Sequence, residues 1–316
     1  MTQRIATVTL NPAFDLVGRL ARIEIGEVNT VETLGLYPAG KGINVAKVLA
    51  DLGTPPTVAG FLGEENQGDF VQNFAQNGLT DHFYRIGGKT RINVKITETE
   101  ADVTDLNFLG FEVSAQDWQK FIEQSATWKD QFDLVAVCGS LPRGISPQQF
   151  AQWLESLHQQ SLKVVLDSSN AALTEGLKAH PWLVKPNRRE LEVWAGRPLN
   201  SREEIIEAAE QLRQHGIENV IISMGEQGSL WLNREGVLQA KPPRCENVVS
   251  TVGAGDSMVA GLIYGLAQGW DKEKTLRFAS ATSALAVSQS NVGISDRKAL
   301  DTIFAQTEIT VISRNI

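Results

Sequence analysis

The chain has 316 residues, a formal net charge of −8 at pH 7, 42% hydrophobic residues and 21% charged residues. This composition is close to the average for a globular protein and excludes a disordered or fibrous chain. An acidic balance without a dense Lys/Arg block argues against binding to nucleic acid or to an anionic membrane, because both need a concentrated positive field.

Short apolar runs alternate with longer helical patterns along most of the chain. Several of the runs are apolar throughout, as strands are when a parallel sheet is covered on both faces. Two capping boxes, at 146–149 and 201–204, mark helix starts. The predicted strands, in chain order, are 5–10, 57–60, 134–138, 163–166, 182–185, 220–223 and 229–232. The alternation predicts an α/β fold with a mostly parallel central sheet between helices.

One stretch departs from this alternation. In 90–97 apolar residues alternate strictly with polar ones, and a second extended run, 103–108, follows a turn-like segment. Together they predict an antiparallel hairpin with one apolar face, formed by Ile92, Val94 and Ile96. That face needs a cover, and we expect both a ligand cleft and a second subunit to supply one.

A polar-broken extended stretch near the start of the chain, about 14–33, could join this hairpin in a small second sheet. The sequence contains no internal repeat, low-complexity tract or flexible linker. We therefore expect a single domain, 1–316, with a lid formed by insertions at about 12–35 and 88–108.

Cysteine usage and hydropathy bear on the compartment. Cys138 and Cys245 are far apart in the chain and match no zinc or redox motif. No apolar run approaches the length of about 20 residues that crosses a membrane. We therefore expect a cytoplasmic protein.

The strongest functional motif is a run of small residues, 250–258, that leads into a helical pattern. Its turn, Gly253, Ala254 and Gly255, would expose backbone N–H groups at a helix start, where the helix dipole also favours an anion. Asp256 opposes such an anion, which makes sense if it accepts a proton from a hydroxyl that attacks a phosphoryl group. The same aspartate is equally a candidate for a helix N-cap, and these residues alone leave both interpretations open.

A second small-residue segment, 35–42, comes within one residue of a phosphate-binding P-loop. Gly42 stands where that loop needs a Ser or Thr hydroxyl for Mg²⁺, so we reject the P-loop. Lys41 and Asn44 are instead expected to point from a helix start into a cleft. Met258 occupies the third glycine position of a dinucleotide fingerprint, which disfavours a hydride-transferring dehydrogenase.

Two well-separated signatures resemble those of the ribokinase-like (PfkB) carbohydrate kinases. The run 39–46, with Gly53 and Gly63 at the expected later spacing, resembles the N-terminal signature, and 250–256 resembles the C-terminal one. The similarity covers essentially the whole chain, through further segments at 9–15, 90–93, 139–142, 185–190 and 223–228. The first two of these segments are typical of the phosphosugar-kinase branch.

The resemblance implies a ribokinase-like three-layer α/β/α sandwich with a small β-sheet lid. It also implies transfer of the γ-phosphoryl group of ATP to O6 of fructose 1-phosphate, which gives fructose 1,6-bisphosphate and ADP. The implied cofactors are ATP and Mg²⁺, and the implied assembly is a homodimer formed through the lid. Ser250 stands where many relatives carry Asp, which leaves dependence on K⁺ open.

The resemblance assigns roles residue by residue. Asp256 is the implied base, with the turn 253–255 as the anion hole. The implied Mg²⁺ ligands, acting through water, are Asn187 and Glu190. The implied sugar-phosphate ligands are Asp15, Gly40, Lys41, Asn44, Arg91 and Ser140. The implied nucleotide ligands are Lys185, Asn187, Ser223, Gly225, Gly228, Thr251, Gly253 and Gly255.

Other interpretations of these residues stay open at the level of sequence. Taken alone, Glu190 is more typical of a solvated helix residue, and only its spacing to Asn187 favours a metal ligand. Arg91 alone is more typical of a solvated surface, and 223–228 is also typical of an ordinary tight turn. Within the kinases, tagatose 6-phosphate and fructose 6-phosphate are alternative substrates. A non-catalytic sensor of sugar phosphates or nucleotides is the alternative from another class, although such a protein would be expected to have lost part of the motif set.

Overall fold

The computed structural model describes residues 3–98, 103–245, 248–289 and 291–314. The turn of the predicted hairpin, 99–102, lies outside the described residues. The strands are β1 (Ile5–Thr9), β2 (Ala13–Leu20), β3 (Glu32–Ala39), β4 (Thr57–Gly63), β5 (Thr80–Ile86), β6 (Arg91–Glu98), β7 (Val103–Leu106), β8 (Leu134–Cys138), β9 (Lys163–Asp167), β10 (Leu183–Val184), β11 (Asn219–Ser223), β12 (Ser229–Asn233), β13 (Gly236–Lys241) and β14 (Glu308–Arg314). The helices are α1 (Lys41–Asp51), α2 (Gly68–Gln76), α3 (Ala115–Ser125), α4 (Pro147–Gln159), α5 (Asn170–Gly176), α6 (Arg188–Ala195), α7 (Arg202–Gln214), α8 (Ala254–Ala267), α9 (Lys272–Val287) and α10 (Arg297–Gln306).

The main sheet has ten strands in the order β14-β13-β12-β11-β10-β9-β8-β1-β4-β5. Strands β11 to β5 along this order are parallel, and β12, β13 and β14 are added by antiparallel pairing. The chain leaves β1 toward β4 on one side and returns to β8 on the other. Ligands of open α/β sheets bind outside the carboxyl ends of the strands at such a switch point.

Helices cover both faces of this sheet. Along β8, Val135 and Val137 belong to one apolar cluster, whereas Leu134 and Ala136 belong to the other. The first cluster includes side chains of α3, α4, α5 and α7, and the second includes those of α1, α8 and α9. The expected three-layer α/β/α sandwich is therefore confirmed.

Local sequence signals located the central elements better than the edges. The strand 134–138 and the two capping boxes are found as predicted. The prediction missed β5, β13 and β14, which lie at or near the two edges of the sheet and carry more polar side chains. The predicted strand 182–185 shrinks to β10, although the amide of Lys185 still donates to the carbonyl of Leu166 in β9 over 3.3 Å.

A second sheet, in the order β3-β2-β6-β7, forms the lid. The hairpin of β6 and β7 is antiparallel, as predicted, and β2 pairs with β6 in parallel. The first insertion extends further than the expected bound at about 35, because the first part of the small-residue segment, 35–39, belongs to β3. The lid therefore leads directly into α1.

The two faces of the lid differ in polarity. Asn93 and Lys95 lie on the same face as Asp15, whose charge acts on Lys47 of α1, so this polar face is turned toward the main body. On the opposite face Ile92 is 42% exposed. The expectation that the cleft covers the apolar face is thus wrong for Ile92, because strand alternation turns polar side chains toward the cleft.

Candidate active site

The start of α1 is pressed against the end of β1. Its N-cap, Gly40, has a φ of 146° and makes no side-chain capping bond. The amide of Ile43 donates to Thr9 Oγ1 over 3.1 Å. A Cβ at Gly42 would lie 2.6 Å from the carbonyl oxygen of Val8, so only glycine allows this approach. The contact places the first turn of α1 at the switch point of the sheet.

The start of α8 lies opposite the start of α1. Its N-cap is Gly253, with a φ of 79° in the left-handed region. The first bond of the helix runs from the amide of Ser257 to the carbonyl of Gly253, over 2.8 Å. The amides of Gly255 and Asp256 precede this bond, so the helix cannot satisfy them internally. The turn thus has the free donors that an anion hole requires.

Asp256 is not the N-cap of α8, so the capping interpretation is wrong. Its side chain is buried, and Asn44 Nδ2 donates to its Oδ2 over 2.7 Å. Burial raises the pKa of Asp256 to about 6 and Asp167 adds to the rise, whereas Lys41, Asn44 and Lys185 oppose it. The carboxylate form therefore predominates at neutral pH, and it can accept a proton.

Two lysines share one carboxylate at the floor of the cleft. Asp167, the last residue of β9, lies 3.8 Å from Lys41 Nζ and 3.5 Å from Lys185 Nζ. The pKa of Lys41 is raised, chiefly by Asp167 and further by Asp256 and Glu190. Sequence reasoning missed Asp167. A polar residue directly after the apolar run of a parallel strand was the available signal.

The residues implied to bind the sugar phosphate lie between the lid and the ends of the central strands. Asp15 Oδ2 is 3.7 Å from Lys95 Nζ, and burial raises the pKa of Asp15. The guanidinium of Arg91 donates to the backbone carbonyls of Asn11, Pro12 and Phe108, which uses three of its five N–H groups. Asn11 Nδ2 also donates to Ser140 Oγ, over 3.3 Å. Arg91 therefore joins the lid to the loop after β1.

A cavity of about 430 Å³ adjoins the start of α8. Of the implied nucleotide ligands it is lined by Ser223, Gly225, Gly228, Thr251 and Gly255, and Ala254 also lines it. Its wall further includes Met258 and three residues that sequence reasoning did not single out, Arg244, Val248 and Val287. Lys185, Asn187 and Gly253 do not line this cavity. The size and the mostly apolar wall suit one bound nucleotide.

Asn187 and Glu190 form the capping box of α6. Each side chain accepts from the other residue's backbone amide over 2.8 Å. Asn187 is bridged to Ser223 at the cavity, and Glu190 acts on the pKa of Lys41, so both residues border the cleft. In the part of the chain that the structure describes, no three His, Cys, Asp or Glu side chains are grouped to hold a metal ion.

Two findings concern the chain beyond the site, namely its helices and its match to a family model. Within the described ranges, no helix has both the length and the apolar character needed to span a bilayer. The family model described as "pfkB family carbohydrate kinase" matches residues 8–299. The matched region includes both glycine-rich helix starts, Asp256 and the lid.

Relatives and solved structures agree with this match. The chain is 69% identical to a 1-phosphofructokinase of Haemophilus influenzae, over 98% of each chain. It is 57% identical to a 1-phosphofructokinase of Escherichia coli strain K12, over 98% of this chain and 99% of the relative. The tetrameric inhibited form of phosphofructokinase-2 from Escherichia coli matches with a TM-score of 0.87 and 27% identity, over 96% of this chain and 98% of that one. The chain belongs to the pfkB family of carbohydrate kinases and is a phosphotransferase that acts on an alcohol group.

Proposed function

We propose that this protein transfers the γ-phosphoryl group of ATP to O6 of fructose 1-phosphate, with fructose 1,6-bisphosphate and ADP as products. The observation that carries the proposal is a buried carboxylate, Asp256, in the first turn of a helix whose amides are free to bind an anion. The names of the relatives at 69% and 57% identity favour this substrate over tagatose 6-phosphate and fructose 6-phosphate.

The chemistry follows from the arrangement around Asp256. Its carboxylate accepts the proton of the O6 hydroxyl as that oxygen attacks the γ-phosphorus. The bond from the γ-phosphorus to the bridging oxygen breaks, and ADP leaves with the electron pair. The amides of Gly255 and Asp256 and the ammonium of Lys185 stabilise the charge on the transferred group. Asn44 holds the carboxylate in place through its hydrogen bond.

Mg²⁺ fits this site as a companion of the nucleotide. Mg²⁺ keeps much of its water and is usually held by substrate phosphates and one or two carboxylates, so a dedicated cluster of ligands is not required. Glu190 and Asn187 border the cleft and would hold the hydrated ion. The ion would neutralise charge on the β- and γ-phosphates.

The lid supplies the sugar contacts in this proposal. Asp15 would accept hydrogen bonds from sugar hydroxyls, while Ser140 and the remaining N–H groups of Arg91 would bind the phosphate already on the sugar. Lys41, whose charge interacts with Asp167 and Asp256, would instead meet the phosphoryl group as the sugar accepts it. Gly40 and Asn44 complete this side through the close approach of α1. Closure of the lid over the sugar would exclude water and limit hydrolysis of ATP.

We further propose a homodimer formed through the lid. The outer face of the lid exposes several large apolar side chains that a second copy would cover, namely Leu34, Leu36, Ile92 and Leu106. We also place the reaction in the cytoplasm, since the chain has only two cysteines and Cys138 is buried.

The test is an assay of ADP release with purified protein across fructose 1-phosphate, fructose 6-phosphate, tagatose 6-phosphate and fructose. We expect a kcat/KM for fructose 1-phosphate that exceeds the others by at least about tenfold. The reason is that the phosphate already on the sugar must reach the cationic groups of the site while the accepting hydroxyl reaches Asp256. A clear preference for another acceptor would refute the substrate. If no phosphosugar supports ADP release, the sensor interpretation would replace the kinase.

A further inference from the structure

A buried carboxylate that no motif indicated lies between two lysines of the site. Asp167 is 2% exposed. Its Oδ1 is 3.5 Å from the ammonium of Lys185, and its Oδ2 is 3.8 Å from that of Lys41. Among the described residues, no donor comes within hydrogen-bond distance of Oδ2. The carboxylate thus holds Lys41 by charge, without a short hydrogen bond that would use up its N–H donors.

The two lysines belong to opposite sides of the transferred group. Lys185 lies beside the anion hole, since a Cβ at Gly255 would be 3.4 Å from its Nζ. Lys41 lies on the acceptor side, because its side chain packs beside Gly139 and its charge interacts with Asp256. Asp167 is therefore placed between a donor-side and an acceptor-side cation.

We propose that Asp167 is a positioning residue for phosphoryl transfer. It fixes the spacing of Lys41 and Lys185, so that both ammonium groups face the phosphoryl group during its transfer. This inference rests on the proposed function. Without the carboxylate the two like charges repel each other. Lys185, whose side chain is 5% exposed, would also lack a counter-charge in a buried site.

The expected signature is kinetic. An ammonium group has three N–H donors, so each lysine can meet Asp167 and still donate to phosphoryl oxygens. Cations that are fixed in advance stabilise the charge that develops in the transition state. Loss of the spacing between the two ammonium groups should therefore lower kcat more than it raises KM. A general destabilisation of the fold would instead change both kcat and KM.

The test is a double-mutant cycle of Asp167→Asn and Lys41→Met at saturating Mg²⁺. Each single variant should lower kcat by about 100-fold, with KM for either substrate changed by less than about fivefold. Because both changes disrupt one arrangement, the double variant should lose about 100- to 1000-fold in total. Losses that multiply to about 10⁴-fold would overturn the proposal. Asp133→Asn, at an exposed pair with Arg4, is the control and should leave kcat unchanged.

Asp167→Asn leaves the buried ammonium of Lys185 without its counter-charge, and this variant could fail to fold. The effect of Lys41→Met is therefore also measured in a second variant. The variant Asp167→Asn/Lys185→Met removes both members of the buried pair, which proteins tolerate better than the loss of one. In that background Lys41→Met should lower kcat by less than about tenfold, against about 100-fold in the wild type. An undiminished loss there would contradict a role for Asp167 in placing Lys41.

Two further outcomes separate this inference from others. If Asp167→Asn raises the half-saturating Mg²⁺ concentration at least about tenfold and excess Mg²⁺ restores kcat, Asp167 is a metal-binding residue and the inference fails. If the wild type uses a phosphosugar other than fructose 1-phosphate, the same cycle is run with that substrate, and only the substrate assignment fails. A wild type that turns over no phosphosugar refutes the proposed function and this inference together.

Discussion

The ionised carboxylate of Asp256 is expected to lower the stability of the folded protein, although turnover requires it. Its pKa is about 6 in the folded protein against an ordinary value of 3.8, so folding takes up a proton between about pH 4 and pH 6. The contribution of Asp256 to stability therefore falls as the pH rises through that window, and above pH 6 its ionised carboxylate carries the full penalty. At about 1.36 kcal/mol per pKa unit, the penalty is about 3 kcal/mol.

Asp256→Asn removes this penalty and keeps the shape of the side chain, which can still accept from Asn44. At pH 8 the variant should be up to about 3 kcal/mol more stable than the wild type, and at pH 5 about half as much. For a chain of this length the gain corresponds to a rise in Tm of roughly 4–5 °C. The variant should also lose about 10²- to 10⁴-fold in kcat, because no base is left for the O6 proton.

The assays are thermal unfolding between pH 5 and pH 8 and ADP release with saturating substrates. Asp69→Asn, in the first turn of α2 and exposed, is the matched control and should change neither stability nor turnover appreciably. The wild type should show an acid limb of kcat/KM near pH 6 that the Asp256→Asn variant lacks. Near-normal turnover, or a variant that is less stable at pH 8, would refute the reasoning.

Three other changes test the surroundings of this residue and the lid. Asn44→Ala removes a hydrogen bond that favours the charged form of Asp256, so its acid limb should move to higher pH; an unchanged pH profile contradicts this role. Gly253→Ala places a Cβ at a φ of 79°, and we expect a loss of about 1–2 kcal/mol in unfolding free energy with a fall in kcat of at least about tenfold, measured by urea unfolding and ADP release. Val94→Asp should shift the sedimentation coefficient toward the monomer, whereas Val193→Asp, on α6, should not; equal behaviour of the two variants counts against the lid interface.

Much of the fold could be read from local patterns. Val135 and its neighbours form a strand that is apolar on both faces, which is possible only where helices cover the sheet on both sides. The lid hairpin could be predicted in the same way, because alternation at 90–97 identifies a half-buried strand. The edge strand β14 escaped prediction, because its pairing with β13 depends on chain segments far apart in sequence.

The sequence also indicated most residues of the candidate site, but it did not decide the role of each residue. The glycine-rich turn at 253–255 and Asp256 were legible as an anion hole with a carboxylate, yet their order alone allowed Asp256 to be a helix cap. The structure decides against the cap, because Gly253 occupies that position and Asp256 is turned toward Asn44 of another helix. That contact joins residues 212 positions apart in the chain, and no local pattern encodes it.

The sequence by itself determined the layered α/β architecture, the two glycine-rich helix starts, and a chemistry based on backbone amides and few cations in an acidic chain. Only the tertiary structure decided which side of the lid faces the cleft and that Asp167 joins Lys41 to Lys185. The physical reason is that amide donors and strand alternation follow from neighbouring residues, whereas the pKa of a buried carboxylate depends on every charge that folding brings near it.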